Sequence, residues 1–443
     1  MGIEILGGLE IHEILAKLGP KEAAIVGSVS HHFQNQASDD SLWSQFCAQE
    51  LHLYSPEDPL GNPIPSFKEA YRAWRESFRM YPWSLVLRVK RCWDKIKSWL
   101  VVNFPEAMTT LRKGVTEDVI NNWESSFKVK LPLPTRLIYR FCDGQDIVEH
   151  SESFSASLLG LIGGYPFTNY LINVFLLPLD EVISVTDGVR RHLVEHADVP
   201  FGSEYLVVAT SSTEAKKFII LNCSNGKLFV GTRTFLENGQ VCPCVPDDLI
   251  HSHNVRDCQK QDSLLLWLEE HGRRLESGLV NVSEEKNARY ISLLPEESSL
   301  FYAAVTNGVK VRAAALFIPE MSMTVLESNH YSFFFSLRMS LKPGGCIVNG
   351  MQFDSCQLCM CHWTIQGNDM VTEINEETVQ GENPLLRSGG KEHVFHGQLP
   401  ILTPQGSIKG SLTFVPGRLS DPKGPEFEVE VPETFLKFPD YKF

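Results

Sequence analysis

Cysteine and histidine have the greatest chemical capacity in this chain, and they concentrate in two places. Cys356-Gln357-Leu358-Cys359-Met360-Cys361-His362, with His393 and His396 further on, offers the sulfur and imidazole donors that suit zinc. On a strand, an odd interval turns the side chain over, so Cys356 and Cys359 face opposite ways and do not close one site. Cys359, Cys361 and Trp363 then share a face, which reads as an apolar sheet surface. The second cluster, Cys242, Cys244, His251, His253 and Cys258, lies in a loop-like stretch that Pro243 and Pro246 explain as turns without metal. Paired acids such as Glu269-Glu270 read as solvated faces. There is no Gly-x-Ser-x-Gly elbow, no Walker-type phosphate loop and no His-Glu-x-x-His helix. The sequence therefore points to no catalytic residue, no metal ligand and no cofactor.

A chain of 443 residues has room for two to four domains, and 43% hydrophobic with 21% charged residues is an ordinary globular composition. The net charge of −14 opposes broad binding to nucleic acid, which rests on clustered Lys and Arg. Residues Arg88 to Lys97 are locally basic, but Trp93, Ile96, Trp99 and Leu100 in and around them give an amphipathic helix with a solvated face. Phe154 to Leu179 has no charged side chain before Asp180, yet Gly163-Gly164, Pro166, Asn173 and Pro178 break it, so it reads as buried strand and loop with no membrane partner. The first residues lack the basic start and apolar core of a signal peptide, which predicts an intracellular protein, cytoplasmic and/or nuclear. Eleven cysteines are then reduced thiols.

The elements that position the rest begin at the N-terminal end. Ile11, Ile14, Leu15 and Leu18 recur at the spacing of one helix face, with Glu10, His12, Glu13 and Lys17 opposite. So short a helical segment cannot enclose a core, so that face needs a partner. The ordered pattern of Ile14-Leu15 and Leu18, the Pro20 turn, Val29 to Phe33, and Leu42-Trp43 resembles an F-box over residues 5 to 51. Many F-boxes open with Leu-Pro; here the pair is Leu6-Gly7, and glycine leaves that entrance looser. The resemblance implies docking on a Skp-family adaptor, and through it on cullin and RING subunits. The positions it implies for that contact are Leu6, Ile11, Ile14, Leu15, Leu18, Pro20, Val29, Phe33, Leu42 and Trp43, some as contacts and some as support.

Ser55 to Ser66 is rich in Pro and Gly and marks a boundary, after which Phe67, Tyr71, Trp74 and Phe78 predict a connecting helix and Trp83 to Val102 a second. A third begins where Thr116 can cap and Glu117-Asp118 suit the positive helix end. Ile120 and Trp123-Glu124, then Leu131-Pro132-Leu133-Pro134, Tyr139 and Asp143-Gly144-Gln145, resemble the SUKH superfamily over about residues 83 to 278. Leu159-Gly160, Leu177 to Glu181, a strand pair at Tyr205 to Ala209 and Lys217 to Leu221, and a helix near Leu264 to Leu275 continue that pattern. The resemblance implies a sheet flanked by helices and a protein-interaction module.

A polar stretch then leads to a β-rich end. Asn307-Gly308 carries hairpin-turn chemistry before Val309 and Val311. Tyr331, Phe333, Phe335 and Leu337 face one way on a strand, and Ser332, Phe334, Ser336 and Arg338 the other, as in a β-sandwich. Phe317-Ile318-Pro319-Glu320, His362-Trp363, Gly381-Glu382-Asn383-Pro384, Gly389, Thr403-Pro404 and Phe414 to Gly417 resemble an ApaG domain over about residues 300 to 440. Bacterial ApaG domains carry a glycine-rich pyrophosphate loop ahead of the Gly-Glu-x-Pro stretch. Aligned on Gly381 and Pro384, this chain has Glu376 and Thr378 at the two earlier glycines, where a carboxylate repels phosphate. Gly381, Pro384 and Gly389 are the remaining candidate ligand positions.

The reading that results is a multidomain α+β protein: residues 1–54 an F-box helical domain, 55–82 a connecting loop and helix, 83–278 an α/β SUKH-like domain, 279–299 a linker, and 300–443 a fibronectin-like β-sandwich of ApaG type. Together the three resemble the ApaG-bearing F-box proteins. That resemblance implies a non-catalytic substrate-recognition subunit of a Skp-cullin-F-box (SCF) ubiquitin ligase, partnered by the adaptor and an unknown protein substrate. The alternative is a ligand-sensing protein whose ApaG domain binds a nucleotide or metabolite.

Overall fold

The computed structural model describes residues 7–146, 158–167, 170–211, 216–251, 263–285, 288–295, 302–321, 330–367, 370–377 and 383–443. Helices α1 (Gly8–Leu18), α2 (Pro20–Val26), α3 (His31–Gln36), α4 (Asp40–Phe46) and α5 (Phe67–Ser77) open the chain. Their starts follow local chemistry. The Glu10 carboxylate accepts the Gly7 N–H at 2.6 Å, half of a capping box and a bond that proline could not make. Pro20 occupies the first turn of α2, and Ser30 and Asp39 cap α3 and α4. Long helix α6 (Trp83–Asn103) and short α7 (Pro105–Met108) follow, then β1 (Leu111–Lys113), α8 (Glu117–Phe127), α9 (Leu133–Phe141) and β2 (Cys142–Gln145). Thr116 accepts the Val119 N–H, the cap its sequence position predicts.

The chain forms two compact units, the first running to Ser98 and including Leu111–Asp143, the second comprising Trp99–Thr110 and everything from Gly144. In the first, Ile11, Leu15, Ala23, Leu42, Trp43 and Phe46 pack inward with Tyr71 and Trp74 of α5. The Trp43 indole donates to the Ala37 carbonyl at 2.8 Å, so its one polar atom is satisfied inside the core. Arg136 bridges Glu117 and Glu124, the latter at 2.6 Å, and its Nε donates to the Tyr81 hydroxyl at 3.2 Å. Both carboxylates lie on α8 and Arg136 on α9, so one guanidinium fixes that helix pair.

The second unit adds α10 (Leu179–His192), α11 (Arg233–Asn238), α12 (Asp247–His251) and α13 (Ser263–Glu276) to strands β3 (Gly163–Phe167), β4 (Tyr170–Leu176), β5 (Tyr205–Ser211), β6 (Phe218–Asn222), β7 (Leu228–Gly231), β8 (Val241–Pro243), β9 (Asn281–Glu285) and β10 (Ala288–Ser292). Among the described residues these eight strands form one sheet in the order β8-β7-β6-β5-β4-β3-β10-β9. Neighbours are antiparallel except β10 on β3, where Ser292 pairs with Gly164. The stretch 279–299, read from its polarity as a linker, thus contains a strand pair joined to the sheet. Tyr290, Ile291, Leu293 and Leu294 are buried there, and that apolar run outweighs the polar residues around it.

The remaining strands are β11 (Tyr302–Thr306), β12 (Val309–Phe317), β13 (Tyr331–Leu341), β14 (Cys346–Val348), β15 (Met351–Phe353), β16 (Ser355–Gly367), β17 (Met370–Glu376), β18 (Leu385–Arg387), β19 (His393–Ile401), β20 (Gln405–Arg418), β21 (Asp421–Pro422) and β22 (Phe427–Lys437). One sheet runs β11-β12-β13-β19. The other runs β17-β16-β20-β21, with β18 on β16 and β22 on β20. Val311, Phe333, Phe335, Leu337 and Met339 of the first sheet share a core with Leu358, Trp363, Leu412, Phe414 and Val429 of the second. This is a β-sandwich. Asn307 and Gly308, at φ 50° and 87°, form the β11-β12 turn that the sequence predicts. The outer face of β13 is covered as well: Ser332, Phe334 and Ser336 are buried, with the Phe334 ring 6.3 Å from Tyr165 on β3.

Candidate docking face and buried polar cluster

The apolar stripe on α1 splits in two. Ile11 and Leu15 are buried, while Ile14 and Leu18 are 41% and 46% exposed. At 3.6 residues per turn the two rows lie roughly 60° apart, so one row packs inward and the other rims the surface. Leu42 and Trp43 are buried beneath them, Pro20 and Phe33 are half-buried, and Val29 is 70% exposed. Leu6 lies outside the described residues. Ile25 on α2, which the sequence reading did not single out, is 57% exposed and extends the row. Its four-residue offset from Lys21 in a short helix gave little periodic signal.

Beside that row lies a groove of about 740 Å³ whose lining includes Leu18, Pro20, Ile25, Trp43, Tyr71 and Arg75. Its walls are fixed from behind. The Glu50 carboxylate accepts from the Tyr71 hydroxyl at 2.8 Å and the Trp83 indole at 3.1 Å, and the Arg75 guanidinium lies 4.4 Å from the Trp83 ring centre. Burial, reinforced by Glu50, pushes the Tyr71 phenol well above its ordinary range, so it remains a donor. The groove can therefore accept an apolar side chain between rigid aromatic walls with a cationic rim.

Of the candidate ligand positions, Gly381 lies outside the described residues, as does Thr378. The Pro384 carbonyl accepts the Leu358 N–H at 3.1 Å, and Gly389 turns at φ 63° with its N–H on the Leu341 carbonyl. Both hold sandwich strands together. Glu376 pairs with Cys361 at the end of β17.

The cysteines of β16 do not follow the alternation expected of a regular strand. Between Leu358 and Met360 the pairing of β16 with β20 shifts register, leaving Cys359 as the extra residue of a bulge. Cys356, Leu358, Cys361 and Trp363 consequently all face the core, although Cys356 and Cys361 are an odd interval apart. Cys359 does not share that inward face; its thiol approaches the Thr413 carbonyl at 3.2 Å. His393 and His396 lie on β19, in the opposite sheet from Cys356. In the other cluster, burial drives the Cys242 and Cys244 thiols upward in pKa, and His253 and Cys258 lie outside the described residues. Among the described residues no three His, Cys, Asp or Glu side chains converge on a metal position. None of the described helices is long and apolar enough to cross a membrane.

A polar cluster absent from the sequence reading sits between the α/β sheet and the sandwich, inside the second unit. Lys217, 0% exposed, places its ammonium 2.9 Å from the Tyr165 hydroxyl, 3.1 Å from a Glu320 carboxylate oxygen and 2.6 Å from the Phe443 oxygen. The Tyr165 and Phe443 oxygens each accept an N–H of the ammonium, and the Glu320 carboxylate balances its charge as an ion-pair partner. Tyr165 in turn donates to the other Glu320 oxygen at 2.5 Å, and burial followed by the Glu320 charge holds its phenol far above the usual range. The sequence signal was slight: Lys217 heads a strand of Phe and Ile, and nothing local marks it as buried.

A helical head with an exposed apolar row, followed by an α/β layer and a two-sheet sandwich, defines a multidomain α+β protein built from modules. The ApaG domain model (DUF525) matches residues 322–416. F-box protein SKIP16 of Arabidopsis thaliana is 49% identical over 448 aligned positions, covering 100% of both chains. F-box only protein 3 of Homo sapiens is 22% identical over 94% of this chain and 78% of that one. KNR4/SMI1 homolog 1 of Debaryomyces hansenii is 27% identical over 106 residues, 24% of this chain and 20% of that one. The chain belongs to the ApaG-bearing F-box proteins.

Proposed function

We infer that the chain is the substrate-recognition subunit of an SCF ubiquitin ligase, docking on a Skp-family adaptor through its N-terminal helices. The observation that carries this reading is that Ile14, Leu18, Ile25 and Val29 are exposed, with Leu18 and Ile25 lining a rigid groove, while Ile11, Leu15, Leu42 and Trp43 hold the scaffold beneath. An apolar row left exposed on otherwise well-packed helices is the mark of a surface completed by a partner. In this reading residues 1–54 are the F-box and 83–278 a SUKH-type module, for which the match to the KNR4/SMI1 homolog is a pointer. That module and the ApaG-type sandwich select and hold a protein target. The chain makes no bond itself; its effect on ubiquitin transfer is proximity.

Co-expression with a Skp-family adaptor tests the reading. The intact chain captures the adaptor, and the double variant Ile14→Asp/Leu18→Asp does not, while its melting profile is retained. Equal capture by the two chains would overturn it.

A further inference from the structure

The segment that follows β22 leaves the sandwich and enters the α/β layer. Phe438 stays behind, edge-on to Phe317 at 4.8 Å and to Tyr331 at 5.4 Å. Beyond it the backbone is neither helix nor strand, yet Lys442 and Phe443 are buried. The contacts that hold them are those of a bound peptide. The Lys442 N–H donates to the Cys244 carbonyl at 3.0 Å, and its carbonyl accepts from the Trp267 indole at 2.7 Å. The Phe443 oxygen accepts from Lys217 at 2.6 Å. The Phe443 ring stacks on Trp267 at 5.0 Å and 19°, with the Arg274 guanidinium 4.4 Å from its centre.

Two consecutive positions are read in different ways. The aromatic ring is gripped by a stacking partner and a cation, which favours an electron-rich face over an aliphatic side chain. The position before it is read through its backbone alone, because the Lys442 ammonium turns back to the Phe438 ring at 4.2 Å and the Asp440 carbonyl at 3.3 Å. Trp267 and Lys217 are both fully buried, so vacating the slot strands an indole N–H and an ammonium donor. A cavity of about 390 Å³ runs beside the segment, lined by Arg274, Leu293, Tyr302, Phe333 and Phe435 among others, and leaves room for a chain to enter.

We propose that the slot formed by Trp267, Arg274, Lys217 and the Cys244 carbonyl is a peptide-recognition site for an aromatic residue, held in cis by residues 439–443 and taken by a target segment of the same chemistry. The identity of the displacing segment rests on the receptor reading; the slot itself does not. A tethered occupant competes at an effective concentration in the millimolar range. For a free peptide with a Kd of about 10 μM, binding to the closed chain is then about a hundredfold weaker than to the opened one.

The test opens the slot after folding. A protease site is inserted between Phe438 and Pro439, the folded chain is cut, and a fluorescein-labelled peptide of residues 438–443 is followed by fluorescence polarisation. Binding to the cut chain, about a hundredfold weaker binding to the uncut chain, and loss of binding when the peptide carries Phe443→Ala are the results expected. An uncut chain with Phe443→Ala, whose slot lacks the ring, binds the peptide also; Arg274→Ala in that background narrows the preference for the parent peptide over a Phe443→Leu peptide. Equal binding to cut and uncut chains, binding to neither the cut chain nor the Phe443→Ala chain, or indifference to the ring would overturn the proposal. No adaptor enters the assay, so its outcome is independent of adaptor capture.

Discussion

Lys217 and Glu320 form an ion pair 3.1 Å long from which solvent is almost wholly excluded, joining the α/β sheet to the foot of the sandwich. Burying two charges is costly, and the pair persists only because further partners stand by it: Tyr165 accepts from the lysine and donates to the carboxylate, and the Phe443 oxygen accepts a second lysine N–H. Sheet, sandwich and the segment after β22 therefore meet at one ammonium group. Whatever moves one of them disturbs the others.

Breaking that pair from one side should be more damaging than removing it. Lys217→Met leaves the Glu320 carboxylate buried without its cation and is expected to cost about 3–5 kcal/mol in urea unfolding. Glu320→Leu should cost a similar amount, whereas the double variant should be well short of the sum, giving a clear coupling energy. Additive losses would show that the two side chains act separately.

On α1, neighbouring leucines should behave in opposite ways. Leu15 is buried, so Leu15→Ala should lose about 2–5 kcal/mol of stability. Leu18 is nearly half exposed, so Leu18→Ala should shift stability by no more than about 0.5 kcal/mol while weakening adaptor capture. Thermal melts and pull-down of the same two preparations separate scaffold from contact. A reversed pattern would place the docking row elsewhere.

The β11-β12 turn gives a sharper test of backbone geometry. Gly308 sits at φ 87°, and a Cβ added there would lie 2.1 Å from the Gly345 carbonyl oxygen. Gly308→Ala should therefore destabilise the sandwich by more than the ~1 kcal/mol of a simple left-handed penalty, because the Gly345 backbone has to move as well. Denaturant unfolding that leaves the variant within error of the parent would contradict the turn.

Caps and turns are local: Thr116, Pro20 and Asn307-Gly308 act within a few residues of themselves, and their chemistry could be read directly. The alternation of β13 was readable too, but not that its second face is also buried, since the covering ring of Tyr165 comes from a distant strand. The β16 bulge inverted the expected parity of Cys359 and Cys361 because one unpaired residue resets every later side chain, and nothing in Gln-Leu-Cys-Met marks the slip. Polarity suggested a linker at 279–299, where the pair β9-β10 and the buried Tyr290, Ile291, Leu293 and Leu294 join the sheet instead. The Lys217 cluster depends on residues drawn from four separated segments, which no window along the chain contains.

His271 supplies the pH dependence. It is fully buried on α13, its Nε2 lies 2.9 Å from the Leu161 carbonyl, and desolvation lowers its pKa to about 4, with the Leu161 bond opposing and Arg274 reinforcing the shift. The imidazole is thus neutral in the folded chain, with Nε2–H donating to that carbonyl. Unfolded, it titrates near 6.5. Between those values the unfolded chain binds a proton that the folded chain refuses, so this residue lowers stability as pH falls from about 6.5 toward 4 and has no effect above 7. The loss should reach about 2 kcal/mol by pH 5. His271→Gln retains a donor for Leu161 but cannot titrate. Urea midpoints at pH 7.5 and pH 5 should then show the parent losing more than the variant, all other carboxylates and histidines being common to both. Equal losses in parent and variant would mean that His271 takes up its proton in the folded chain as readily as in the unfolded one, which would contradict its desolvation.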